Sequence, residues 1–207
     1  MSAVGQDSLL LELERADELD PVLDWASVFG NDRAVEIEIG IGKGRFLLAS
    51  AQRRPETNFL GIEWAAKYLR IAQARGMKRG LCNLRLARVD AREFIEFFVP
   101  AESVQALHLL FPDPWPKKRH HKRRLVNLAF LTEVERILAP EGRWWLATDH
   151  QEYFEVMHEV LSASRVLKEV AVEWEGTKTN YEEKYLARGK PIFRRVVQKM
   201  DSPRELE

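Results

Sequence analysis

Short runs of residues with high strand propensity alternate with stretches of helical periodicity along most of the chain. Val35–Ile39 is the first predicted strand, and residues 46–53 form the first predicted helix, which Pro55 ends. The same alternation predicts later strands at 58–62, 84–89, 104–111, 143–148, 166–172 and 192–198, and later helices at 65–78, 91–98, 125–138 and 151–162. Because such alternation requires βαβ crossovers, it predicts an α/β fold with a doubly wound, mostly parallel sheet and helices on both faces.

The pattern divides the chain into an acidic arm, one α/β domain and a short tail. Residues 1–33 precede the alternation, residues 34–200 carry it, and residues 201–207 follow it. A chain of 207 residues with 45% hydrophobic content is long enough for one domain with a sizeable core. Residues 9–25 of the arm fit either a short helix packed on the domain or a mobile segment.

Charge is balanced over the whole chain but not along it. The 32 Lys and Arg residues offset the 32 Asp and Glu residues, and a formal net charge of +0 by itself predicts no nucleic-acid partner. Residues 41–133 nevertheless hold 18 basic and 8 acidic residues. The neutral total therefore conceals a basic middle segment.

The remaining composition excludes several classes of protein. A single cysteine, Cys82, excludes an intrachain disulfide and any multi-cysteine metal site, so we expect no metal and a reducing, cytoplasmic compartment. No run of about 18 apolar residues is present, so we expect no membrane partner. Monomer and homodimer both remain open.

A glycine turn follows the first predicted strand, at the edge of the sheet where doubly wound folds bind ligands. It runs from Glu38 through Gly40 and Gly42 to Gly44. Arg45 occupies the position of the last glycine in the dinucleotide motif, which argues against a nicotinamide cofactor. Glu38 would repel a pyrophosphate and suits a cationic ligand. A tight connection between strand and helix explains the glycines equally well.

Two further acids end the next two strands. Glu63 lies about twenty residues beyond the glycine turn, where an acid can accept both hydroxyls of a ribose. Asp90 ends the third strand, where it could line an adenine pocket or cap the helix that begins at Ala91. Three acids after three successive strands favour S-adenosyl-L-methionine, which is positively charged, over a phosphorylated cofactor.

The fourth strand is followed by a carboxylate between two prolines and by an aromatic residue. Pro112 and Pro114 restrict the backbone around Asp113, and Trp115 comes next. A carboxylate can accept hydrogen bonds from a base edge while an aromatic ring stacks on the base, as in recognition of single-stranded bases. A structural turn is the alternative explanation.

A dense basic run follows this turn. Residues 117–124 comprise six Lys and Arg residues and two His residues. A solvated surface is the usual explanation of a charge run, but one this dense beside a candidate site attracts phosphates. The run therefore favours a nucleic-acid partner.

Together these segments resemble the bacterial tRNA (guanine-N7-)-methyltransferases. The segments that carry the resemblance are EIGIGKG at 38–44, GIE at 61–63, LFPDPWPKKRHHKRR at 110–124, ATD at 147–149 and TNYEEKY at 179–185. The resemblance covers about residues 34–198, and it implies a Rossmann-like sheet of the class I methyltransferase type. It also implies transfer of a methyl group from S-adenosyl-L-methionine to a guanosine of the tRNA variable loop, usually position 46.

The resemblance assigns a role to each matching residue. Asp113 falls on the catalytic position. Cofactor-binding positions are Glu38, Gly40, Gly42, Glu63, Asp90 and Asp113; substrate-binding positions are Lys117, Asp149, Thr179, Asn180, Tyr181 and Glu182; RNA-binding positions are Arg119, His120, His121, Lys122, Arg123 and Arg124. From the residues alone, Asp149 could instead be a helix cap. The segment that begins at Thr179 could be either a lid over the base or an ordinary turn. Either Trp115 or Tyr181 could stack on the base.

Two other functions remain as alternatives. A nicotinamide-dependent oxidoreductase is disfavoured by Arg45 and Glu38. A nucleic-acid-binding protein without catalysis, or one subunit of a modifying complex, is disfavoured because a pure binder has no use for a row of acids suited to a cationic cofactor.

Overall fold

The computed structural model describes residues 9–11, 22–174 and 178–201, so most of the predicted arm and all but Asp201 of the predicted tail lie outside it. The described residues form one seven-stranded sheet with the strand order β3-β2-β1-β4-β5-β7-β6. The strands are β1 (Val35–Ile39), β2 (Asn58–Ile62), β3 (Leu84–Ala87), β4 (Val104–Leu110), β5 (Leu138–Thr148), β6 (Leu167–Glu169) and β7 (Phe193–Lys199).

Strands β1 to β5 are parallel, and the last two strands are antiparallel to their neighbours. β7 pairs with both β5 and β6 in the antiparallel direction. The predicted doubly wound, mostly parallel sheet is therefore confirmed. The predicted strand at 166–172 is shorter than expected, since β6 covers only Leu167–Glu169. The Val170 N–H still donates to the Val196 carbonyl at 3.0 Å, and Val170, Val172 and Trp174 then pack beside Trp145.

Seven helices are present in the described residues, and five of them match the predicted ones. They are α1 (Trp25–Phe29), α2 (Arg45–Arg53), α3 (Ala66–Lys78), α4 (Ala91–Phe98), α5 (Leu128–Ile137), α6 (Gln151–Ser162) and α7 (Asn180–Leu186). The hydrophobic pattern does not predict α1 or α7. A 3₁₀ helix at Lys118–Arg123 adds a further short element.

Helices cover both faces of the sheet. The larger core packs side chains of α4, α5 and α6 on one face, with Trp144 fully buried against Phe130. The smaller core packs α2 and α3 on the opposite face around Phe59 and Leu84. None of the helices in the described ranges is long and apolar enough to cross a lipid bilayer.

The topology defines where a ligand can bind. The chain moves outward from β1 through β2 to β3 and then returns to pair β4 with the other side of β1. In open parallel sheets, ligands bind beyond the carboxyl ends of the strands at such a reversal of strand order. The segments that follow β1, β2, β3, β4 and β5 therefore share one edge.

Candidate active site

The glycine turn after β1 connects directly to the carboxylate at the end of β2. Glu63 accepts a hydrogen bond from the Gly42 N–H at 2.8 Å and another from the Ala65 N–H at 2.8 Å. Gly42 has φ +53°, and Gly44, at the start of α2, has φ +73°. A Cβ on Gly44 would lie 2.9 Å from the Cβ of Ala72, so glycine is required for α2 to pack against α3.

Glu38 is a buried carboxyl group beside this turn. It is 3% exposed, and one of its oxygens, Oε2, has no hydrogen-bond partner. Burial raises its pKa to about 8, with a further contribution from the nearby Glu63 and partial opposition from the Leu47 N–H. An unpartnered buried acceptor of this kind fits a cationic ligand, because the ligand would supply both the missing hydrogen bond and the compensating charge.

Asp90 lies at the carboxyl end of the third strand and caps α4. Its carboxylate accepts a hydrogen bond from the Arg92 N–H at 2.8 Å and a longer one from the Glu93 N–H at 3.4 Å. The cap that the sequence offered as an alternative is therefore present. The side chain is only partly buried, so a ligand contact in addition to the cap remains a prediction.

Asp113 is exposed in a loop with unusual backbone geometry. Phe111 and Trp115, two residues to either side, have positive φ values of 56° and 45°. The loop begins where the Phe111 N–H donates to the Ala147 carbonyl at 2.7 Å, at the end of β5. Non-glycine residues in this backbone region cost about 1–3 kcal/mol each and persist only where surrounding contacts hold them.

Trp115 packs against the basic run that follows it. The Arg123 guanidinium lies over its ring at 4.8 Å from the centroid, and the His120 ring meets it edge-on at 5.8 Å. In this run the exposed residues are Lys117, Lys118, Arg119, Lys122 and Arg123. His120 and His121 are half-buried, and the Nε2 atom of His121 has no partner among the described residues.

Arg124, which the resemblance assigns to RNA binding, differs from the rest of the run. It is 4% exposed, and its guanidinium donates to both carboxylate oxygens of Glu152 at 2.9 Å and to the Pro114 carbonyl at 2.8 Å. The side chain faces the protein because these contacts lie beneath the loop. Arg124 is therefore covered by protein, unlike the exposed residues before it, and its assignment to RNA binding stays a prediction.

Asp149 follows β5 and is not the cap of α6. His150 is the cap, since its ring nitrogen accepts the Tyr153 N–H at 3.2 Å. Asp149 instead accepts a hydrogen bond from Lys190 at 3.1 Å. Lys190 is not predicted at this edge from the sequence, because it follows α7 in a segment without hydrophobic periodicity.

The segment that begins at Thr179 forms α7 rather than an ordinary turn. Thr179 caps the helix by accepting the Glu182 N–H at 3.0 Å, and buried Glu182 pairs with Arg194 of β7. Tyr181 is 49% exposed, while the side chain of Asn180 lies outside the described part of the structure. Glu183 pairs with Arg45, which brings α7 beside the start of α2.

The described residues thus gather the predicted positions along one edge. Glu38 is the penultimate residue of β1. Glu63, Asp90, Asp113 and Asp149 follow β2, β3, β4 and β5, and α7 adjoins this edge through Arg45 and Lys190. No group of three or more His, Cys, Asp or Glu residues within the described ranges is arranged to hold a metal ion.

Several solved structures with a similar fold are methyltransferases. An rRNA methylase from Streptococcus thermophilus aligns with a TM-score of 0.54 at 15% identity, covering 82% of this chain and 89% of that chain. A SAM-dependent O-methyltransferase from Thermotoga maritima aligns with a TM-score of 0.55 at 15% identity, covering 87% and 65%. At this identity the likeness shows the fold alone, and it confirms the Rossmann-like class I methyltransferase architecture.

Sequence comparison identifies much nearer relatives. A family model described as "Putative methyltransferase" matches residues 32–195. The tRNA (guanine-N(7)-)-methyltransferase of Listeria monocytogenes serotype 4b (strain F2365) is 42% identical, with 82% of each chain covered. The protein of the same name from Geobacillus sp. (strain WCH70) is 41% identical, covering 82% of this chain and 80% of its own. On this evidence the chain belongs to the tRNA (guanine-N(7)-)-methyltransferase family.

Proposed function

We propose that this protein transfers a methyl group from S-adenosyl-L-methionine to N7 of guanosine 46 in the variable loop of tRNA. One observation carries the proposal: the sheet edge with the buried Glu38 and the ribose-suited Glu63 also carries the exposed Asp113, with a basic segment beside it. Glu38 then matches the cationic cofactor, Asp113 matches the base, and the basic segment matches the phosphate backbone. The family relationship supports the same assignment. Because the proposed substrate is tRNA, we also propose that the protein acts in the cytoplasm.

Glu38, Gly40, Gly42, Glu63 and Asp90 are proposed to hold the cofactor. S-adenosyl-L-methionine supplies the methyl group on a positively charged sulfur. Burial disfavours the ionised form of Glu38, and a neighbouring cation would favour it again. Glu63 already accepts the Gly42 N–H, so the glycine turn and the ribose-binding carboxylate form one rigid unit.

Asp113 is proposed to orient the guanine. The N7 atom has an in-plane lone pair and no proton, so the reaction needs no base to remove one beforehand. A carboxylate that accepts hydrogen bonds from the guanine amino and imino groups would fix the base and stabilise the positive charge that develops on the ring. Holding the reacting atoms in line can contribute about 7–11 kcal/mol at the extreme.

The exposed basic residues are proposed to bind the tRNA backbone. Lys117, Arg119, Lys122 and Arg123 lie beside Asp113 in sequence and are solvent-exposed. Extruding a nucleotide costs a few kcal/mol, which these phosphate contacts and a stacking partner can offset. Tyr181 is the better stacking candidate, because it is 49% exposed and contacts only the Tyr185 ring among the described aromatic residues, whereas Trp115 is half-buried between Arg123 and His120.

Asp149 and α7 are proposed to complete the substrate side of the site. Asp149 adjoins α7 through Lys190, and Thr179 and Glu182 hold that helix in place. Asn180 and Tyr181 are the first two residues of α7, directly after the cap at Thr179.

The proposal is tested by incubating the purified chain with labelled S-adenosyl-L-methionine and unmodified tRNA, followed by nucleoside analysis. We expect 7-methylguanosine with tRNA that carries guanosine at position 46, and no label in a tRNA changed to adenosine there. Methyl on another atom, or no transfer to any tRNA, would overturn the proposal.

A further inference from the structure

Arg124 is a buried charged residue at the end of an exposed basic run. Its guanidinium uses three donors: Nε reaches the Pro114 carbonyl at 2.8 Å, and Nη1 and Nη2 reach the two oxygens of Glu152 at 2.9 Å each. The guanidinium also lies over the ring of Tyr153 at 4.9 Å from its centroid. All three guanidinium nitrogens are thus engaged, and the 4% exposure leaves almost no surface for a phosphate.

The contacts join the Asp113 loop to α6. Pro114 is the residue next to Asp113, and Glu152 and Tyr153 belong to the first turn of α6. Tyr153 in turn accepts the Val126 N–H at 3.3 Å, so the chain is held to the same helix at Arg124 and again two residues later.

A second arginine secures the backbone of the same segment. The Arg92 side chain, from α4, donates to the Arg124 carbonyl at 2.8 Å and to the Arg123 carbonyl at 3.1 Å. Because α4 and α6 are both packed in the larger core, Arg123 and Arg124 are held by two helices that are themselves fixed by packing.

The loop needs such support because its backbone is strained. Phe111 and Trp115 both hold positive φ, and Asp113 lies midway between them. A planar guanidinium presents its donors in fixed directions and can bind a carboxylate and a carbonyl simultaneously, which a lysine ammonium on a flexible stem cannot reproduce. Arg124 therefore determines where the Pro114 carbonyl lies, and with it the adjacent Asp113.

We propose that Arg124 is a positioning residue: held by Glu152, it fixes the Pro114 carbonyl and thereby directs Asp113 toward the target base, and it does not contact RNA. This inference rests on the proposed function, because it assumes that Asp113 orients the guanine. It separates two adjacent arginines by role, with Arg123 binding tRNA and Arg124 supporting the loop.

The test compares Arg124→Lys with Glu152→Gln and with a matched control. Arg136→Lys is the control, since Arg136 also donates to a carboxylate, Glu133 at 2.7 Å, and to a backbone carbonyl, Val99 at 2.7 Å, but on the far end of α5. We expect Arg124→Lys to lower kcat for methyl transfer on the order of 10- to 100-fold, as for a small displacement of a catalytic group. The KM for S-adenosyl-L-methionine and the salt dependence of tRNA binding should stay at the wild-type values.

Glu152→Gln should lower kcat in the same direction and still fold, because its side chain is 48% exposed. Arg136→Lys should lower the melting temperature and keep the wild-type kcat. Wild-type kcat in both Arg124→Lys and Glu152→Gln would overturn the proposal. So would a reduced salt slope in Arg124→Gln that matches the reduction in Arg123→Gln, because the loss of a charge at residue 124 would then show that Arg124 contacts phosphate.

Amide hydrogen exchange tests the positioning without relying on activity. In Arg124→Lys, the hydrogen-bonded amides that flank the segment, Phe111 (to the Ala147 carbonyl) and Val126 (to the Tyr153 hydroxyl), should exchange faster while those of β4 keep their protection. If Arg124→Lys does not fold, the same measurement on Glu152→Gln applies. Absence of methyl transfer by the wild-type protein would refute the proposed function alone, whereas unchanged exchange at both Phe111 and Val126 would refute the positioning role.

Discussion

Arg45, the first residue of α2, forms a bidentate ion pair with Glu183 of α7, 138 residues further along the chain. The pair connects the helix that follows the glycine turn to the helix that carries Tyr181 and Glu182. Both side chains are substantially exposed, at 36% and 48%. The pair is therefore expected to determine where α7 lies more than it determines global stability.

Removing this ion pair should loosen α7 without unfolding the protein. A double-mutant cycle with Arg45→Ala and Glu183→Ala should give a coupling of about 0.2–1 kcal/mol in denaturant unfolding, as for other exposed pairs. Amide exchange of Asn180–Leu186 should increase in each single variant. The control is Glu169→Ala, which removes the ion pair of Glu169, at the end of β6, with Arg195 of β7 and should leave α7 unchanged. Wild-type exchange of α7 in Arg45→Ala would contradict the link.

Asp113→Asn should reduce turnover far more than tRNA affinity. Asparagine keeps the size of the side chain but removes the negative charge that would stabilise the methylated base, so we expect kcat to fall about 10²- to 10³-fold. Single-turnover methyl transfer and filter binding of tRNA separate the two effects. Asp32→Asn, an exposed carboxylate at the opposite end of the sheet, is the control and should retain full activity. Unchanged turnover in Asp113→Asn would remove the role assigned to the carboxylate.

The exposed part of the basic run should dominate the salt dependence of tRNA binding. Replacing Arg119, Lys122 and Arg123 together with Ala removes three cations. The slope of log Kd against log salt concentration should then fall by about 1 for each phosphate that is no longer neutralised.

The matched control for this variant removes three exposed cations elsewhere. Arg53, Lys78 and Arg79 lie at the carboxyl ends of α2 and α3, away from the candidate site. Their replacement should leave the slope at its wild-type value. If both triple variants reduce the slope equally, the basic run has no special part in binding.

Glu38 should make the folded protein less stable as pH rises. Burial raises its pKa from 4.5 to about 8, so the folded protein holds a proton that the unfolded chain has released between these values. The stabilisation is complete below pH about 4.5 and is lost as pH rises through about 8, with a slope of up to about 1.4 kcal/mol per pH unit. Glu38→Gln should abolish this slope in denaturant unfolding, since an amide does not titrate. A wild-type slope in the variant would assign the pH dependence to another group.

Glu36, two residues earlier on β1, provides a control of opposite sign. Burial opposes its ionisation, but hydrogen bonds from His108 and Arg54 at 2.5–2.9 Å prevail and lower its pKa to about 2. Its contribution is present above pH about 4.5 and is lost as pH falls toward about 2. Glu36→Gln should therefore change the acid limb of the stability profile, below pH about 4.5, in the direction opposite to the change expected for Glu38→Gln.

Local sequence patterns were sufficient to place the strands of the parallel sheet and the row of acids that follow them. Buried parallel strands are short apolar runs, and each loop after such a strand emerges at the same edge, so Glu38, Glu63 and Asp113 could be placed together without coordinates. The family motif around Asp113 was likewise local enough to recognise in the chain.

Which charges face the solvent and which support the fold became clear only from the packing of distant elements. Arg123 and Arg124 are neighbours of identical type, and their different environments depend on Glu152 and Pro114, which lie 28 and 10 residues away from Arg124. Asp149 meets Lys190 and Arg45 meets Glu183 across still longer separations. α7 has seven residues, too few for a stable isolated helix, so its position depends on these contacts. Local sequence determines where a strand ends, whereas the partner of a charged side chain depends on which distant elements packing brings beside it.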